Sequence, residues 1–87
     1  MVKARKIKVK VLFWAQAREI AGTGEEYYQL GYNSKIEKLI EEILKKHPGL
    51  GNMKTSVRVA INGEMSSGSP KLKDGDVIAL LPPFAGG

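Results

Sequence analysis

The chain has 87 residues, 43% of them hydrophobic and 26% charged, and its formal net charge is +5. This composition indicates one small folded domain and excludes a disordered chain, and no apolar run is long enough to span a membrane. Cysteine is absent and His47 is the only histidine, which excludes disulfides and thiolate chemistry and argues against a metal site within one chain.

The first predicted element is a strand over residues 6–14, which read KIKVKVLFW. Its lysines alternate with apolar residues, which is the pattern of a strand with one buried face. The apolar positions are Ile7, Val9, Val11 and Phe13. Leu12 and Trp14 fall on the lysine side by strand parity, so the exposed face also carries apolar side chains. A turn or short helix over residues 15–26 reverses the chain, and residues 26–32 are predicted to form the second strand.

Residues 34–47 give the clearest helix prediction. Ser34 and Glu37 match a capping box, and apolar residues then recur with the helical period. The apolar stripe consists of Ile36, Leu39, Ile40, Ile43 and Leu44. A Pro-Gly pair ends the helix, so we interpret His47 as a residue that complements the helix dipole rather than as a general base.

The second half of the chain predicts two more strands, over residues 57–61 and 77–81. Asn62-Gly63 is a tight-turn signal directly after the first of them. Asp74 and Asp76 flank a glycine, and we interpret them as turn residues rather than as a pair of catalytic carboxylates. The last strand, VIALL, is apolar throughout, which is typical of a central strand.

These elements predict an α+β domain over residues 1–81, with a mixed sheet packed on one main helix and the first and last strands adjacent at its centre. One helix covers one face of the sheet and leaves the other face open. On the open face we expect a partner interface formed by Leu12, Trp14 and Leu80 and rimmed by lysines. The alternative is that the irregular segment 64–76 folds over this face.

The chain ends in PPFAGG, residues 82–87, which we predict to be an extended tail. The prolines favour an extended backbone, and glycine carries no Cβ, so the tip fits a channel too narrow for other residues. We expect five tail residues to insert into a partner: Pro82, Pro83, Phe84, Ala85 and Gly86. The carboxylate of Gly87 resists nucleophiles as a free anion and becomes an acyl donor once it is joined to AMP. A frayed terminus is the alternative, but no polar side chain follows Asp76.

Three segments, with the helix between them, resemble the ubiquitin-like sulfur carriers, the family of the small subunit of molybdopterin synthase. The segments are VLFWAQAREIAG at residues 11–22, INGE at 61–64 and LKDGDVIALLPPFAGG at 72–87. The terminal Gly-Gly is shared by all ubiquitin-like carriers, whereas F-x-A-x-x-R-E-x-x-G, D-G-D and P-P-x-x-G-G together are more specific. The resemblance implies a β-grasp fold, in which we interpret Arg18 and Glu19 as structural residues.

The resemblance also implies a reaction cycle. An E1-like enzyme uses ATP to adenylate Gly87, a sulfur donor converts the adenylate to a thiocarboxylate, and the tail carries the sulfur into the large subunit of molybdopterin synthase. There the sulfur passes to a pyranopterin precursor of the molybdenum or tungsten cofactor. On this interpretation the chain is not itself an enzyme, binds no metal or cofactor, and relies on catalytic side chains of its partner.

Two other functions fit the same tail. A ubiquitin-like protein modifier forms an isopeptide bond from the same adenylate, and the sulfur carrier of thiamine biosynthesis delivers sulfur to a different acceptor. Nucleic-acid binding is not expected, because no aromatic residue for base stacking accompanies the lysines between Lys3 and Lys10, which fit an acidic protein partner. Membrane binding is not expected either, and with no signal-peptide core after the basic start we expect a cytoplasmic location.

Overall fold

The computed structural model describes residues 5–53 and 58–81, without the side chains of residues 52 and 53. The described chain forms one mixed sheet of five strands, with two α-helices and a 3₁₀ helix. The strands are β1 (Lys6–Phe13), β2 (Glu25–Gly31), β3 (Arg58–Ile61), β4 (Glu64–Met65) and β5 (Val77–Leu81), and the helices are α1 (Ala15–Ala21), α2 (Ile36–Lys46) and the 3₁₀ helix (Pro48–Met53). The predicted α+β class is confirmed, whereas the predicted tail at residues 82–87 lies outside the described residues.

The centre of the sheet is a parallel pair, β1 and β5. The strand order is β2-β1-β5-β3-β4, and every other pair of neighbours is antiparallel. Lys10 lies opposite Val77 and Phe13 lies opposite Leu80, so the two strands run side by side to the same edge of the sheet. This arrangement confirms the prediction that the first and last strands are adjacent at the centre.

The core lies between one face of the sheet and α2. Its largest fully buried side chains come from β1, β5 and α2 and are Val9, Val11, Ile78, Leu39 and Ile43. Fully burying an aliphatic side chain of this size contributes about 1.5–3 kcal/mol, so these side chains dominate the stability. Leu50 of the 3₁₀ helix and Leu72 before β5 also reach the core, although neither belongs to a periodic apolar pattern in the sequence.

Residues 64–76 do not fold over the open face. β4 adds a short strand to the sheet, and the residues after it pack beside the start of α2. Leu72 is buried in the core and its amide donates to the Ser34 carbonyl at 2.8 Å, while the Ile36 amide donates to the Pro70 carbonyl at 3.0 Å. The alternative in which this segment covers the open face is therefore wrong, because its buried leucine anchors it on the helix side.

The start of α2 differs from the predicted capping box. The N-cap residue is Lys35, and no side chain caps the helix. The Ser34 hydroxyl donates to the Gly31 carbonyl at 2.7 Å, and Glu37 accepts a hydrogen bond from the Ser69 hydroxyl. The capping-box prediction is wrong because the backbone of a segment distant in sequence satisfies the first amide of the helix, which a local pattern does not reveal.

A hydrogen-bonded pair, exposed Asn62 and buried Asp76, holds the start of β5 in place. Asn62 adopts φ 53°, as the predicted Asn-Gly turn requires, and its side-chain amide donates to the Asp76 carboxylate at 2.9 Å. The side-chain carbonyl of Asn62 accepts from the Val77 amide at 2.9 Å, and Asp76 also accepts from the Lys73 amide at 2.8 Å. The pair therefore links two turns to the first residue of β5.

The Asp-Gly-Asp turn also completes the hydrogen bonding of β1. The Asp74 carboxylate accepts from the Lys8 amide at 2.7 Å, and the Gly75 amide donates to the Lys8 carbonyl at 2.8 Å. The Lys10 amide donates to the Asp76 carbonyl at 2.9 Å. The turn thus supplies hydrogen-bond partners to the part of β1 that lies before its pairing with β5 begins. The interpretation of both aspartates as turn residues is confirmed.

Removing the Asp76 carboxylate should destabilise the domain. Asp76→Ala removes the charged acceptor shared by the Asn62 side-chain amide and the Lys73 amide, so we expect a loss of about 2–3 kcal/mol in the free energy of unfolding. Asn62→Gly keeps a residue that tolerates positive φ and should lose about 1–2 kcal/mol. The double variant should lose about 1 kcal/mol less than the sum, because both single changes break one shared bond. Urea unfolding measures all three losses. A loss in the double variant equal to the sum of the single losses would contradict the coupling. Asp74→Ala is the control and should lose less stability, because Asp74 is exposed.

A cluster of polar side chains joins β2 to the end of α2. Glu26 accepts a hydrogen bond from the Tyr28 hydroxyl at 2.8 Å, and it lies 2.8 Å from His47 Nε2 and 3.3 Å from Lys46 Nζ. The His47 ring also packs edge-on against Phe13, with centroids 5.6 Å apart. Burial by itself raises the pKa of Glu26, but its three hydrogen-bond partners outweigh burial and hold the pKa below its ordinary value. The cluster therefore stabilises the contact between β2 and α2 through a charged carboxylate.

Glu26→Gln should lower the free energy of unfolding by about 1–2 kcal/mol at neutral pH, because a neutral amide accepts weaker hydrogen bonds than a carboxylate. The lowered pKa means that the folded state favours the charged carboxylate. Its contribution is complete above the ordinary pKa of 4.5 and is lost as the pH falls through the lower folded-state value. Urea unfolding across this range should show a steeper acid loss in the unsubstituted protein than in the variant. Parallel pH profiles would contradict this, and Glu41→Gln on the exposed side of α2 should change little.

Candidate functional site

The end of β5 marks the place where the chain continues into the predicted tail. Leu81 is the last residue of β5 and lies opposite Arg58 of β3. Because β5 is parallel to β1, its end lies at the same edge of the sheet as Phe13 and the following Trp14. The residues expected to insert into a partner, Pro82, Pro83, Phe84, Ala85 and Gly86, and the expected reactive residue, Gly87, lie outside the described residues. We term the end of the sheet at Leu81 and Trp14 the tail exit.

Trp14 is exposed at the tail exit. It follows β1 rather than belonging to it, so the strand predicted over residues 6–14 is one residue too long. Trp14 has an extended backbone, and Ala15 beside it adopts φ 49°. A left-handed conformation is unfavourable for a residue with a Cβ, and here it turns the chain sharply from β1 into α1. The indole is 53% exposed, as predicted.

The side chains of α1 brace the segments around the tail exit. The helix contacts β5 and the 3₁₀ helix. The Arg18 guanidinium lies against Gly24, where a Cβ would come within 3.4 Å of its Cζ atom. Ile20 packs against Gly49, where a Cβ would approach to 2.9 Å and force a shift. These contacts support the structural interpretation of Arg18, while the neighbouring Glu19 is exposed.

The open face of the sheet carries an apolar patch that crosses four strands. This open-face patch consists of Leu12, Ala60, Met65, Val77, Ala79 and Leu81. Four of its residues lie opposite one another in a single row, in the order Leu12, Ala79, Ala60 and Met65. Along this row Leu12 and Ala79 are half-buried, Ala60 is buried and Met65 is 58% exposed. The predicted position of Leu12 on the open face is confirmed, and the other five residues were not singled out from the sequence.

Leu80 does not belong to the open-face patch, and its assignment to the partner interface is wrong. Its side chain is only 4% exposed and lies in the core under α2. The register explains the difference, because Leu80 lies opposite the buried Phe13 whereas Ala79 lies opposite Leu12. Every residue of β5 is apolar, so the sequence does not distinguish its two faces. A one-residue change of register exchanges the faces of a strand, and only the pairing with β1 decides between them.

Lysines border the open-face patch on β1. The ammonium groups of Lys8 and Lys10 lie over the ring of Tyr27 on β2, at 5.0 and 5.7 Å from its centroid. Glu25 lies 3.6 Å from Lys10 Nζ and balances one of these charges. Asp74 lies beside Lys8, where its carboxylate accepts from the backbone amide. Lys6 lies on the same exposed face of β1, so the border keeps one excess positive charge, which suits an acidic partner surface.

The candidate catalytic side chains have structural roles. The His47 ring contacts Glu26 and Phe13, and Asp76 is hydrogen-bonded to Asn62. Within the described ranges there is no group of three or more His, Cys, Asp or Glu side chains suited to a metal ion. No helix in the described part of the chain is long and apolar enough to cross a membrane.

Comparison with known proteins gives a family match and a set of similar proteins. The ThiS family model matches residues 11–87. A Chlamydomonas reinhardtii molybdopterin synthase sulfur carrier subunit is 37% identical over 93% of this chain and 100% of the relative. A chain in the Helicobacter pylori complex of subunits 1 and 2 of the molybdopterin-converting factor is 32% identical, with a TM-score of 0.64 and coverage of 93% of this chain and 100% of that chain. The Methanosarcina acetivorans small archaeal modifier protein 1 is 31% identical, with a TM-score of 0.73 and coverage of 95% and 99%.

The similarity extends over the elements that form the tail exit. The matched residues begin within β1 and include the Asn-Gly turn, the Asp-Gly-Asp turn and β5. The likeness to the solved structures confirms the β-grasp, ubiquitin-like fold that the sequence motifs implied. On this extent of similarity, the chain belongs to the ThiS family.

Proposed function

We propose that this chain is the sulfur-carrier subunit of a molybdopterin synthase and delivers sulfur as a thiocarboxylate on Gly87 to a pyranopterin precursor. The observation that carries the proposal is that the end of β5, the exposed Trp14 and the open-face patch converge at one edge of the sheet. A carrier requires this arrangement, because the protein that receives the tail must also hold the domain. The similarity to a molybdopterin synthase sulfur carrier subunit supports the choice of substrate.

The proposed chemistry takes place on the tail. An E1-like enzyme joins the Gly87 carboxylate to AMP from ATP and releases pyrophosphate, and a sulfur donor then displaces AMP to give the thiocarboxylate. A terminal carboxylate with a pKa of about 3.5 is ionised at neutral pH and resists nucleophiles, so this activation is necessary. Phe84 and Ala85 line the channel of the partner, and Gly86 keeps the tip narrow enough to enter it. The prolines at 82 and 83 stiffen the extended segment that reaches the channel.

The proposed partner is the large subunit of the synthase, which supplies the catalytic side chains. The Helicobacter pylori complex of subunits 1 and 2 supports a two-subunit assembly. This chain contributes Trp14 and the open-face patch as the apolar contact, and Lys8 and Lys10 steer the approach of an acidic surface. ATP is used by the activating enzyme, no cofactor stays bound to this chain, and both reactions take place in the cytoplasm.

A protein-modifier function is the second candidate. The likeness to the small archaeal modifier protein 1 supports it, at 31% identity. Both functions begin with the same adenylate on Gly87 and differ in the nucleophile that attacks it, which is a sulfur donor in one case and a lysine amine of another protein in the other. A thiamine-pathway carrier differs later, in the acceptor of the sulfur. The product formed on Gly87 and its acceptor therefore distinguish the three functions.

The thiocarboxylate can be tested by the intact mass of the protein. After incubation of the full chain with an E1-like activating enzyme, ATP and a sulfur donor, we expect a mass gain equal to the difference between sulfur and oxygen, localised to the C-terminal peptide. Deletion of Gly87, or one residue added after it, should abolish the gain and leave the free energy of unfolding unchanged. Gly86→Ala should slow the conversion about tenfold or more, because a Cβ enters a channel that glycine alone fits.

The same experiment separates the candidate functions. An unchanged mass, under conditions in which a known sulfur carrier is converted, would contradict sulfur carriage. Isopeptide-linked products in cell extract without any thiocarboxylate would favour the modifier function. A thiocarboxylate that supports thiamine synthesis but does not convert the pyranopterin precursor would favour the thiamine pathway.

Trp14→Glu should weaken binding to the large synthase subunit by about 2–4 kcal/mol, which is the usual effect of removing an aromatic anchor from an interface. The free energy of unfolding should change little, because the indole is 53% exposed. Tyr32→Glu is a matched control, since Tyr32 is 57% exposed and follows β2 at the end of the sheet away from Trp14. Titration calorimetry measures both affinities. An equal loss of affinity in the two variants, or no loss in Trp14→Glu, would show that the tail exit is not part of the interface.

A further inference from the structure

β2 is a long edge strand whose outer side is unpaired among the described residues. It has seven residues, whereas β4 at the other edge has two. Proteins usually shorten, twist or charge an exposed edge, because its free amides and carbonyls pair readily with another strand. The register of β2 with β1 is continuous from Glu25 to Gly31, so no bulge twists this edge away. The β2 edge therefore keeps the geometry that strand addition needs.

The hydrogen bonds to β1 determine which groups of β2 point outward. At one end of the pair the Phe13 amide donates to the Gly24 carbonyl at 2.9 Å, and at the other the Tyr32 amide donates to the Arg5 carbonyl at 3.0 Å. Bonded and non-bonded positions alternate along an antiparallel pair. The even-numbered residues of β2 therefore bond to β1, and the odd-numbered residues direct their amides and carbonyls toward the free edge.

The outward carbonyls are satisfied at both ends of β2, and the outward groups between the ends are free. The Thr23 hydroxyl bonds to the carbonyl of the first residue of β2 at 3.1 Å and accepts from its amide at 3.4 Å. Ser34 donates to the carbonyl of the last residue through its amide at 3.1 Å and its hydroxyl at 2.7 Å. Within residues 5–53 and 58–81, the outward groups of Tyr27 and Gln29 make no hydrogen bond. These two residues form a window for a short added strand.

Cationic side chains lean over this window from both faces of the sheet. On the open face, Lys8 Nζ and Lys10 Nζ lie 5.0 and 5.7 Å from the Tyr27 ring centroid. On the helix face, Lys46 Nζ lies 5.7 Å from the Tyr28 ring centroid. Each ammonium group thus extends from its own element over β2. A strand added about 4.8 Å beyond β2 places its side chains within reach of these groups.

The flanks of the window carry an excess of positive charge. The flanking cations are Arg5, Lys6, Lys8, Lys10 and Lys46, and the flanking carboxylates are Glu25, Glu26 and Asp74. Glu25 pairs with Lys10 at 3.6 Å and Glu26 pairs with Lys46 at 3.3 Å. The Asp74 carboxylate, which accepts from the Lys8 amide, offsets a third charge. The surplus cations are therefore Arg5, over the Tyr32 ring at 5.3 Å, and Lys6, opposite Gly31.

From these contacts we propose that the β2 edge binds an extended acidic segment of another protein, which adds a strand to the sheet. Its backbone bonds to the outward groups of Tyr27 and Gln29, and its carboxylates lie beside the lysines on either face. The site is separate from the tail exit and does not depend on the chemistry at Gly87. It therefore holds whichever of the candidate functions the tail performs.

A second copy of this chain fits the edge less well than an acidic segment. Pairing β2 with β2 brings two sets of the same cations together on each face, and each chain carries a net charge of +5. Like charges placed across neighbouring strands are destabilising. An acidic segment reverses the sign of this interaction, so charge complementarity selects it as the occupant.

Amide hydrogen exchange of the full chain, measured by NMR, tests the site. The probe is a short capped peptide of alternating valine and glutamate, and the control replaces each glutamate by lysine. We expect the acidic peptide to slow exchange at Tyr27 and Gln29 about tenfold or more at saturation, because their free amides become hydrogen-bonded. The lysine peptide should have no effect, and added salt should weaken binding of the acidic one.

Matched variants separate the backbone from the charge. Gln29→Pro removes an outward amide without breaking a bond to β1 and should abolish binding, whereas Gln29→Ala keeps the amide and should bind normally. Lys8→Glu should weaken binding about tenfold or more, while Lys71→Glu, which makes the same change of net charge beside the start of α2, should not. If Gln29→Pro fails to fold, a peptide methylated on alternate amides tests the same bonds on the unsubstituted chain.

Four results would overturn the proposal. They are unchanged exchange at Tyr27 and Gln29 with the acidic peptide, equal slowing by the lysine peptide, and perturbation confined to the open-face patch. The fourth is slowing with protein concentration in the absence of peptide, which would make a second copy the occupant.

Discussion

The parallel pairing of β1 with β5 is the constraint on which the rest of the structure depends. Parallel neighbours cannot be joined by a tight turn, so everything between them in the sequence forms the crossover. The pairing brings the end of β5 to the same edge as Trp14, and it sets Ala79 rather than Leu80 on the open face. It also leaves β2 at the outside of the sheet, where one side of that strand has no partner in the described structure.

This pairing is held by polar contacts at one end and by apolar packing along its length. Asp74 and Asp76 bond to backbone groups beside and before β5, and Asn62 bonds to the first amide of β5. Beyond them, Ile78 and Leu80 pack with the side chains of β1 under α2. The polar contacts are directional and fix the register, whereas the apolar contacts supply most of the stability. The Asn-Gly and Asp-Gly-Asp motifs in the sequence therefore have a structural role that precedes any role of the tail.

The sequence predicts the elements whose patterns are local. The alternation of β1, the stripe of α2 and the Asn-Gly turn each follow from neighbouring residues, and the order of the central strands follows from their apolar character. The sequence does not predict features that depend on contacts between distant segments. The face of Leu80 depends on the register with β1, and the start of α2 depends on the backbone near Pro70. Leu72 joins the core from a segment without any apolar period.

Some features of the candidate site also follow from local sequence, and others depend on distant segments. The exposure of Trp14 and the position of Leu12 follow from the end of one strand, so a short stretch of sequence is sufficient to predict them. The places of Ala60 and Ala79 in the open-face patch cannot be predicted from nearby residues, because they depend on the register between β3 and β5. The position of Lys46 over β2 likewise cannot be predicted from a local pattern, since Lys46 is distant in sequence from Tyr28, whose ring it covers.

The two proposed interaction surfaces share part of their charge. Lys8 and Lys10 lie on β1, between the open-face patch and the β2 edge, and their ammonium groups lean over Tyr27. A partner on the patch and a strand on the edge contact different atoms, because one uses apolar side chains and the other uses backbone groups. Both nevertheless approach the same two lysines, and a carboxylate that pairs with either of them lowers its attraction for another. The surfaces are therefore compatible in space but coupled through charge, and raising the salt concentration weakens that coupling before it affects the apolar contacts.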